Sequence, residues 1–428
     1  MRLTMKERRS VSAVVAKRYQ KSTKKEKSTI LGEYTQLTGY NRCYAAFLLR
    51  NHGRRMRVNN NTVLVGDCRK KVKRTRDRTY DEQVVRVLKK VWQIMGFICG
   101  KRLKPALKEV IPTLEKYKEI ELDKTIREKL LKISAATIDR VLAPERKKRS
   151  LRARTRTKPG TLLKHQIPIR TFSEWDEQRP GFVEIDLVGH EGGDPSGDYI
   201  QTLDMTDVCT GWTETQAVKN KARVWVFEAL KEIRKRLPFK LLGIDSDNGS
   251  EFINDHLYGY CEEEKITFTR ARAYRKNDNC YVEQKNYSVV RRAVGYHRYD
   301  TPQQLRLLNQ LYSRLRLYTN YFQPVMKLEE KIRVGSKVKK KYDQPKTPYQ
   351  RVLESPQVEK ENRENKEKLN QEYAKLNPAE LRRQITTLQI KLRKLTAKEN
   401  LKKRKLNRNY NNEKNHKDFE YISGEATN

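Results

Sequence analysis

Residues 181–188, GFVEIDLV, are the stretch on which the fold turns. A short apolar run bounded by Pro180-Gly181 and Gly189 reads as a buried β-strand. Yet it carries Glu184 and Asp186, two residues apart and therefore on one face of that strand. A carboxylate in a buried strand is costly unless it is paired or bound to a cation. Working outward, DYIQTLDMTD (198–207) and WTETQAV (212–218) are further short β-type runs bounded by Gly, Asp, Pro and Ser. An amphipathic helix over 222–237 follows, then the strand KLLGIDS (240–246), a helix over 251–264 and the strand ITFTRA from 266. A polar loop leads to two more helical segments, 280–295 and 302–322.

Three strands in hairpin order, then alternating helix and strand, predict a mixed sheet with helices on its faces. In this order the arrangement is RNase H-like, with the first and fourth strands as neighbours. Asp186 in the first strand and Asp247 at the end of the fourth would meet at one edge. The helix that follows would bring Glu283 across to them. Asn248-Gly249 turns the chain after Asp247, and Ser250 is placed to cap the next helix. Three oxygen ligands with few His or Cys nearby suit hard cations, Mg²⁺ or Mn²⁺. Two such ions about 3.5–4 Å apart serve an in-line displacement at phosphorus. Glu184 shares the face of Asp186 but belongs to no motif. Asp204 and Asp207 sit in a turn-rich place where acids are ordinary, Asp245 is a further neighbour, and His190 reads as a loop histidine within reach of DNA.

The charge distribution separates this segment from the rest. The chain has 94 Lys/Arg against 53 Asp/Glu, a formal net charge of +41. Residues 171–325 hold 21 basic and 23 acidic residues, so the surplus lies entirely in the flanks. A surface this basic calls for a polyanion, with double-stranded DNA as the expected partner. A packaging protein has no use for a near-neutral island; an enzyme on a DNA-binding frame does.

Six cysteines (43, 68, 99, 209, 261, 280) without a CxxC argue for a reducing cytoplasm and against a disulfide framework. His52 lies between Cys43 and Cys68, but the spacing fits no finger, and no zinc is expected. No apolar run of membrane-spanning length occurs, and MRLTMKERRS lacks a signal-peptide core.

The flanks divide by composition and periodicity. Residues 1–57 read as a helix-turn-helix DNA-binding module. Ser28–Leu37 puts Ile30, Leu31, Tyr34 and Leu37 on one face, Thr38-Gly39 turns, and Asn41 caps a helix offering Cys43, Ala46, Phe47 and Leu49 for packing. Arg42, Arg50 and Arg54 would then face DNA, although an ordinary helical hairpin has the same grammar. Residues 58–79 read as a basic linker. A second helical DNA-binding module spans 80–145, with Val84, Val85, Val87, Leu88, Val91 and Trp92 as its apolar face and Ser134 capping another candidate recognition helix. Residues 146–170 form another basic linker before the α/β core at 171–325.

Beyond the core, 326–357 is a basic DNA-binding segment and 358–400 is helical. There Leu381, Ile385, Leu388, Leu392 and Leu395 make a short heptad seam that either joins two protomers or packs on another domain. Residues 401–428 have the composition of a disordered tail. Within the core, the loop 270–279 interleaves Arg270, Arg272, Arg275 and Lys276 with Tyr274, which suits phosphate contact and base stacking near a cut. Lys285, Arg291 and Arg292 would extend that track.

DNGSEF (247–252) and NDNCYVEQKN (277–286), with 35 residues between Asp247 and Glu283, resemble the motifs of integrase-type DDE transposases of bacterial insertion sequences. The retroviral integrase catalytic core is a more distant relative of that group. FQPVMKL and VGSKVKKKYDQPKTPYQRVLE also look like the insertion-sequence branch. The resemblance covers about 180–325 best and implies that Asp186, Asp247 and Glu283 bind two Mg²⁺ or Mn²⁺ ions. Asn248, Gly249 and Asn286, the last one helical turn past Glu283, would shape that site. It further implies binding of terminal repeats, hydrolysis at the element end, strand transfer by the freed 3′-OH, and a dimer or larger assembly on DNA in the bacterial cytoplasm. The alternatives are a transposase-derived DNA-binding regulator and an RNase H-like nuclease without strand transfer. No zinc module of the retroviral kind is present in the sequence.

Overall fold

The computed structural model of the 428-residue chain describes residues 3–59, 62–68, 79–149, 179–246, 251–252, 255–270, 280–356, 358 and 363–424. They form two compact units, residues 1–79 and 80–428.

The first unit contains α1 (Met5–Lys21), α2 (Lys24–Thr38), α3 (Arg42–Asn51) and a hairpin of β1 (Arg55–Asn59) with β2 (Thr62–Val65). Gly39 at φ +67° ends α2 in the left-handed conformation that glycine adopts without strain. Asn41 then caps α3, its Oδ1 accepting from the Cys43 N–H at 2.9 Å. The core joins Ala16 and Tyr19 to Ile30, Leu31 and Tyr34, and to Ala45 and Leu49 of α3. The packing face of α3 agrees with the expected one in part: Leu49 is buried and Ala46 packs against this core, but Ala45 is buried one turn before Leu49 while Cys43 and Phe47 are exposed. The stretch after residue 57 also departs from a plain linker. Val58 and Thr62–Val65 are β-branched or apolar and complete the hairpin.

The second unit opens with α4 (Glu82–Ile94), α5 (Gly100–Lys116), α6 (Lys124–Lys132) and α7 (Ala135–Arg149). The central sheet consists of β3 (Phe182–Gly189), β4 (Gln201–Asp207), β5 (Thr213–Val218), β6 (Gly243–Ser246) and β7 (Thr267–Arg270). Its order is β5-β4-β3-β6-β7; β3, β4 and β5 are antiparallel neighbours, and β6 and β7 run parallel to β3. That is the mixed, RNase H-like order expected from the sequence. Helices α8 (Arg223–Arg234) and α9 (Asp255–Glu263) close one face over Val183, Ile185, Leu203, Met205 and Ile244.

The other face meets a long helical segment: α10 (Cys280–Lys285), a π-helical turn (Asn286–Arg291) and α11 (Arg292–Val294). It is followed by α12 (Pro302–Phe322), which starts with a Thr301/Gln304 capping box. After α12 come the two-stranded ribbon β8 (Leu328–Val334) with β9 (Lys337–Tyr342), then α13 (Pro348–Glu354), α14 (Arg363–Ala374) and α15 (Pro378–Gly424). Both ribbon strands are exposed along their whole length.

One expectation is corrected here, and one left open is decided. Residues 80–145 are not a body of their own: Trp92, Leu103, Leu107 and Ile111 share one core with Leu308, Leu311 and Tyr312 of α12. The Tyr318 hydroxyl also donates to the Ile94 carbonyl at 2.6 Å. The heptad seam is likewise filled from within the chain, since Leu381, Ile385 and Leu392 are buried in that same core and Gln304 donates to Thr396 Oγ1 at 3.2 Å. Its apolar stripe is therefore spent on α12 rather than left for a second protomer. Among the described residues no helix is long and apolar enough to cross a membrane.

Candidate active site

Strand pairing assembles a polar ladder on the face toward α10–α12. Glu184 lies opposite Thr206 on β4 and Asp245 on β6, and Asp186 lies opposite Asp204. Glu184, Asp204, Thr206 and Asp245 are all buried. Alternation forces this, because the same strands send Val183, Ile185, Leu203 and Met205 to the opposite face.

Asp186 is half-buried, and its Oδ2 accepts a hydrogen bond from Asn286 Nδ2 at 2.6 Å. Asn286 opens the π-helical turn, a distortion that is frequent at functional sites because it re-aims one residue. Glu283 lies in the first turn of α10 and is exposed. Glu184 ties the two elements together. Its Oε2 accepts from the backbone N–H of Tyr281 at 2.8 Å and of Val282 at 2.9 Å, capping the helix that carries Glu283. Burial, with the nearby charges of Asp245 and Glu283, pushes the Glu184 carboxyl up to about 8, against the pull of those two N–H groups. Glu184, which belonged to no motif, is thus the residue that sequence reasoning passed over; its shared face with Asp186 was the available signal.

Asp247, Asn248 and Gly249 lie outside the described residues, as do Arg272, Tyr274, Arg275 and Lys276. β6 ends at Ser246, immediately before Asp247 in sequence, and Arg270 closes β7. On β6, Asp245 Oδ1 accepts from Thr269 Oγ1 at 2.7 Å, which gives this neighbour a structural partner. Asp207 is a turn residue as expected: its Oδ1 accepts from the Thr210 N–H and hydroxyl, both at 2.6 Å.

Two residues expected to touch DNA, Lys285 and Arg291, are placed elsewhere, and His190, read as a loop histidine, lies in the interior. Lys285 is buried, and its ammonium donates to the Gly211 carbonyl at 3.3 Å, so it cannot reach a surface ligand. Burial lowers it to about 8 even though the Asp204 carboxylate favours its charged form. Asp204 in turn is held well above the ordinary carboxylate range by burial. Arg291 donates to the Gly189 carbonyl at 2.7 Å and lies over the Tyr296 ring, clasping the end of β3. His190 is fully buried, with Nε2 at 2.7 Å from Thr202 Oγ1, which also meets the Tyr312 hydroxyl at 2.8 Å. Burial drops the His190 imidazole to about 3, so it is neutral. Arg292 is exposed and makes one 3.3 Å bond to the Gly96 carbonyl. In the first unit Arg42, Arg50 and Arg54 are all exposed. His52 stands at the hairpin base, its Nδ1 at 3.5 Å from Cys68 Sγ and 3.8 Å from Asp67 Oδ1.

The donor set around Asp186 and Glu283 is made of oxygen, which matches hard divalent cations rather than zinc. Two buried oxygens on these elements, Glu184 Oε1 and Asn286 Oδ1, have no hydrogen-bond partner among the described residues. Buried acceptors left in that condition are what a cation or its bound water satisfies, so the residues present fit Mg²⁺ or Mn²⁺.

No family model matches the chain. Among solved structures, the catalytic core domain of BIV integrase is similar at 16% identity and a TM-score of 0.29, over 42% of this chain and 99% of that one. The HTLV-2 integrase catalytic core domain in complex with magnesium (dimeric form) is similar at 14% identity and a TM-score of 0.27, over 34% of this chain and 90% of that one. Both likenesses are too slight to bear on function. A much stronger match is to a whole protein of Sinorhizobium fredii (strain NBRC 101917 / NGR234), 37% identical over 350 residues, which is 82% of this chain and 96% of the relative. The chain therefore belongs to the family of that relative, the uncharacterized protein y4rM.

Proposed function

We propose that the chain is a DNA transposase of the integrase-type DDE group. It binds the terminal repeats of a mobile element, hydrolyses a phosphodiester at each end, and joins the freed 3′-OH to target DNA. The observation that carries this reading is the way β3 grips the Glu283 helix. Glu184 caps that helix and Asn286 on it bonds Asp186, so two acids of the motif are held by one rigid unit.

Asp186, Asp247 and Glu283 would hold two Mg²⁺ or Mn²⁺ ions. When bound, such ions lower the pKa of an attacking oxygen and neutralise a leaving one in an in-line displacement. The protein's own part is positional. Asn286 orients the Asp186 carboxylate, Glu184 sets the pitch of the Glu283 helix, and Asn248 and Gly249, next to Asp247 in sequence, would shape the site. Arg270, Arg272, Tyr274, Arg275 and Lys276 would hold the DNA strand at the rim, and Arg292 would add a further contact. Arg42, Arg50 and Arg54 would serve end recognition. The β8–β9 ribbon, with Lys331, Arg333, Lys337, Lys339, Lys340 and Lys341 exposed, supports a further phosphate-binding role within 326–357. Two ends must be held at once, so the active form on DNA would be a dimer or larger, acting in the bacterial cytoplasm.

An oligonucleotide assay tests the proposal, using the DNA that flanks the reading frame as substrate with Mg²⁺ or Mn²⁺. Nicked and joined products are expected from the wild-type protein and none from Asp186→Asn, Asp247→Asn or Glu283→Gln, with DNA binding retained in all three. Tight binding without cleavage under every metal would point to a regulator. Nicks without joined products would point to a nuclease.

A further inference from the structure

Between Asn41 and Gly66 the chain has five arginines, Arg42, Arg50, Arg54, Arg55 and Arg57, and no acidic residue. Two of these lie on the β1–β2 hairpin, and the hairpin is fastened to the end of α3. The Gly53 N–H donates to the Gly66 carbonyl at 2.7 Å, and the Gly66 N–H donates to the Arg54 carbonyl at 2.9 Å. The Cys68 N–H donates to His52 Nδ1 at 3.4 Å, so that imidazole acts as a latch across the hairpin base. Gln20 bonds the carbonyls of Leu49 and His52 at 2.9 and 2.6 Å, tying the same corner to α1. Gly66 passes so close to α3 that a Cβ there would sit 1.9 Å from the Asn51 carbonyl oxygen, an approach that only glycine permits. The angle between hairpin and α3 is therefore set by the fold.

Residues 55–58 and 62–65 are all exposed, and no part of the unit's core lies against them. A lone two-stranded hairpin is marginal in water, which implies a binding partner for this one. Pairing sorts its side chains: Arg55 stands opposite Val65 and Arg57 opposite Val63 on one face, with Met56 opposite Leu64 on the other. The first face alternates guanidinium groups with β-branched apolar groups. Guanidinium forks match phosphate oxygens, and apolar groups between them suit deoxyribose.

The geometry points to the β1–β2 hairpin as a second DNA-contacting element fixed to α3, its Arg55/Arg57 face lying on the phosphate backbone of duplex DNA beside the groove that α3 enters. This inference rests on the DNA-binding reading of residues 1–57 and adds a site to it. Charge selects the occupant, because a segment from 41 to 66 whose charged residues, His52 aside, are all arginines repels a second copy of itself and attracts a polyanion.

The test measures binding of the full-length protein to a mixed-sequence duplex over a range of salt concentrations. Three forms are compared with the wild type: Arg55→Ala/Arg57→Ala, Val63→Glu/Val65→Glu, and Arg50→Ala on α3. The glutamates stand directly across from the arginines, so they neutralise the face while adding cross-strand ion pairs that keep the hairpin folded. Each double variant is expected to bind roughly 10–100-fold more weakly and to lower the log–log salt slope by about 2, one for each lost phosphate contact. Wild-type affinity and slope in both double variants, with Arg50→Ala still weakened, would overturn the hairpin site and leave α3 as the reader. A change of oligomeric state with unaltered DNA affinity would also overturn it, making the hairpin a protein contact. A wild-type protein that binds no duplex would remove both this inference and the function proposed above.

Discussion

The two faces of the central sheet are built from the same five strands and obey opposite rules. Toward α8 and α9, Val183, Ile185, Leu203 and Ile244 are fully buried among apolar neighbours, each stabilising the fold by about 1.5–3 kcal/mol. Toward α10–α12 the alternate residues of those strands are Glu184, Asp186, Thr202, Asp204, Thr206 and Asp245. Burial drives the Glu184 and Asp204 carboxyls upward, and the charges of neighbouring acids add to it. The difference teaches that the apolar face holds together a sheet whose other face is unfavourable by itself. Glu184 and Asp204 keep oxygens with no hydrogen-bond partner among the described residues, a condition that the cations of the function proposed above would relieve.

The largest expected effect comes from removing an acid on the polar face. Asp186→Asn should lower strand-joining activity at least about a thousandfold, with thermal stability unchanged or raised because a repelling charge is gone. A collapsed melting temperature would show that Asp186 is structural instead. On the apolar face, Leu203→Ala should cost about 3–4 kcal/mol in urea denaturation, while the activity of the remaining folded protein stays at the wild-type level. Equal damage to activity per folded molecule would erase the division of labour between the faces.

The buried Lys285 beside Asp204 offers a sharper cut. Lys285→Met should destabilise by about 1–3 kcal/mol by removing the buried charge that offsets burial of Asp204 and the bond to the Gly211 carbonyl, and adding Asp204→Asn should recover part of that. Strict additivity in the double variant would mean that the two do not act as a pair. Smaller again, Asn286→Ala should reduce activity about 10–30-fold by freeing the Asp186 carboxylate. Its effect should appear in kcat rather than in DNA affinity.

Near neutral pH the smallest effect comes from His190, at the far end of the polar face, and it grows only as the solution is acidified. His190 is held near 3 in the fold against an ordinary value near 6.5, so its contribution is fully present above pH 6.5 and is lost as pH falls toward 3. Relative to His190→Gln, the wild-type protein should lose about 1.4 kcal/mol per pH unit below 6.5. Parallel stability curves for the two proteins would show that the ring is not buried neutral.

Much of this arrangement was legible in the chain. The apolar runs and their bounding glycines announce the strands, and the strand order follows from hairpin-length connections and then helix-length ones. Asn286 lies three residues past Glu283, close enough along a helix to share its site, and it bonds Asp186. Less legible were residues whose role depends on partners distant in sequence. Lys285 looks like one more basic residue in a basic protein until Asp204 and the Gly211 carbonyl close around it. His190 looks like a loop residue until β4 and Tyr312 cover it. Phe47 looks like core beside Leu49, but the pitch of α3 sets Ala45 there in its place.

By itself, then, the amino-acid sequence determined the alternation that separates an acidic face from an apolar one, the identity of the acids, and the excess of positive charge in the flanks. These are local or additive properties, set by residue type and by the two-residue period of a strand. Only the tertiary structure decided that Glu184 caps the Glu283 helix, that the heptad stripe of α15 is consumed by α12, and that the β1–β2 hairpin is locked to α3. Each of those depends on which distant surfaces bury one another, and a single strand or helix carries no record of the partner it will meet.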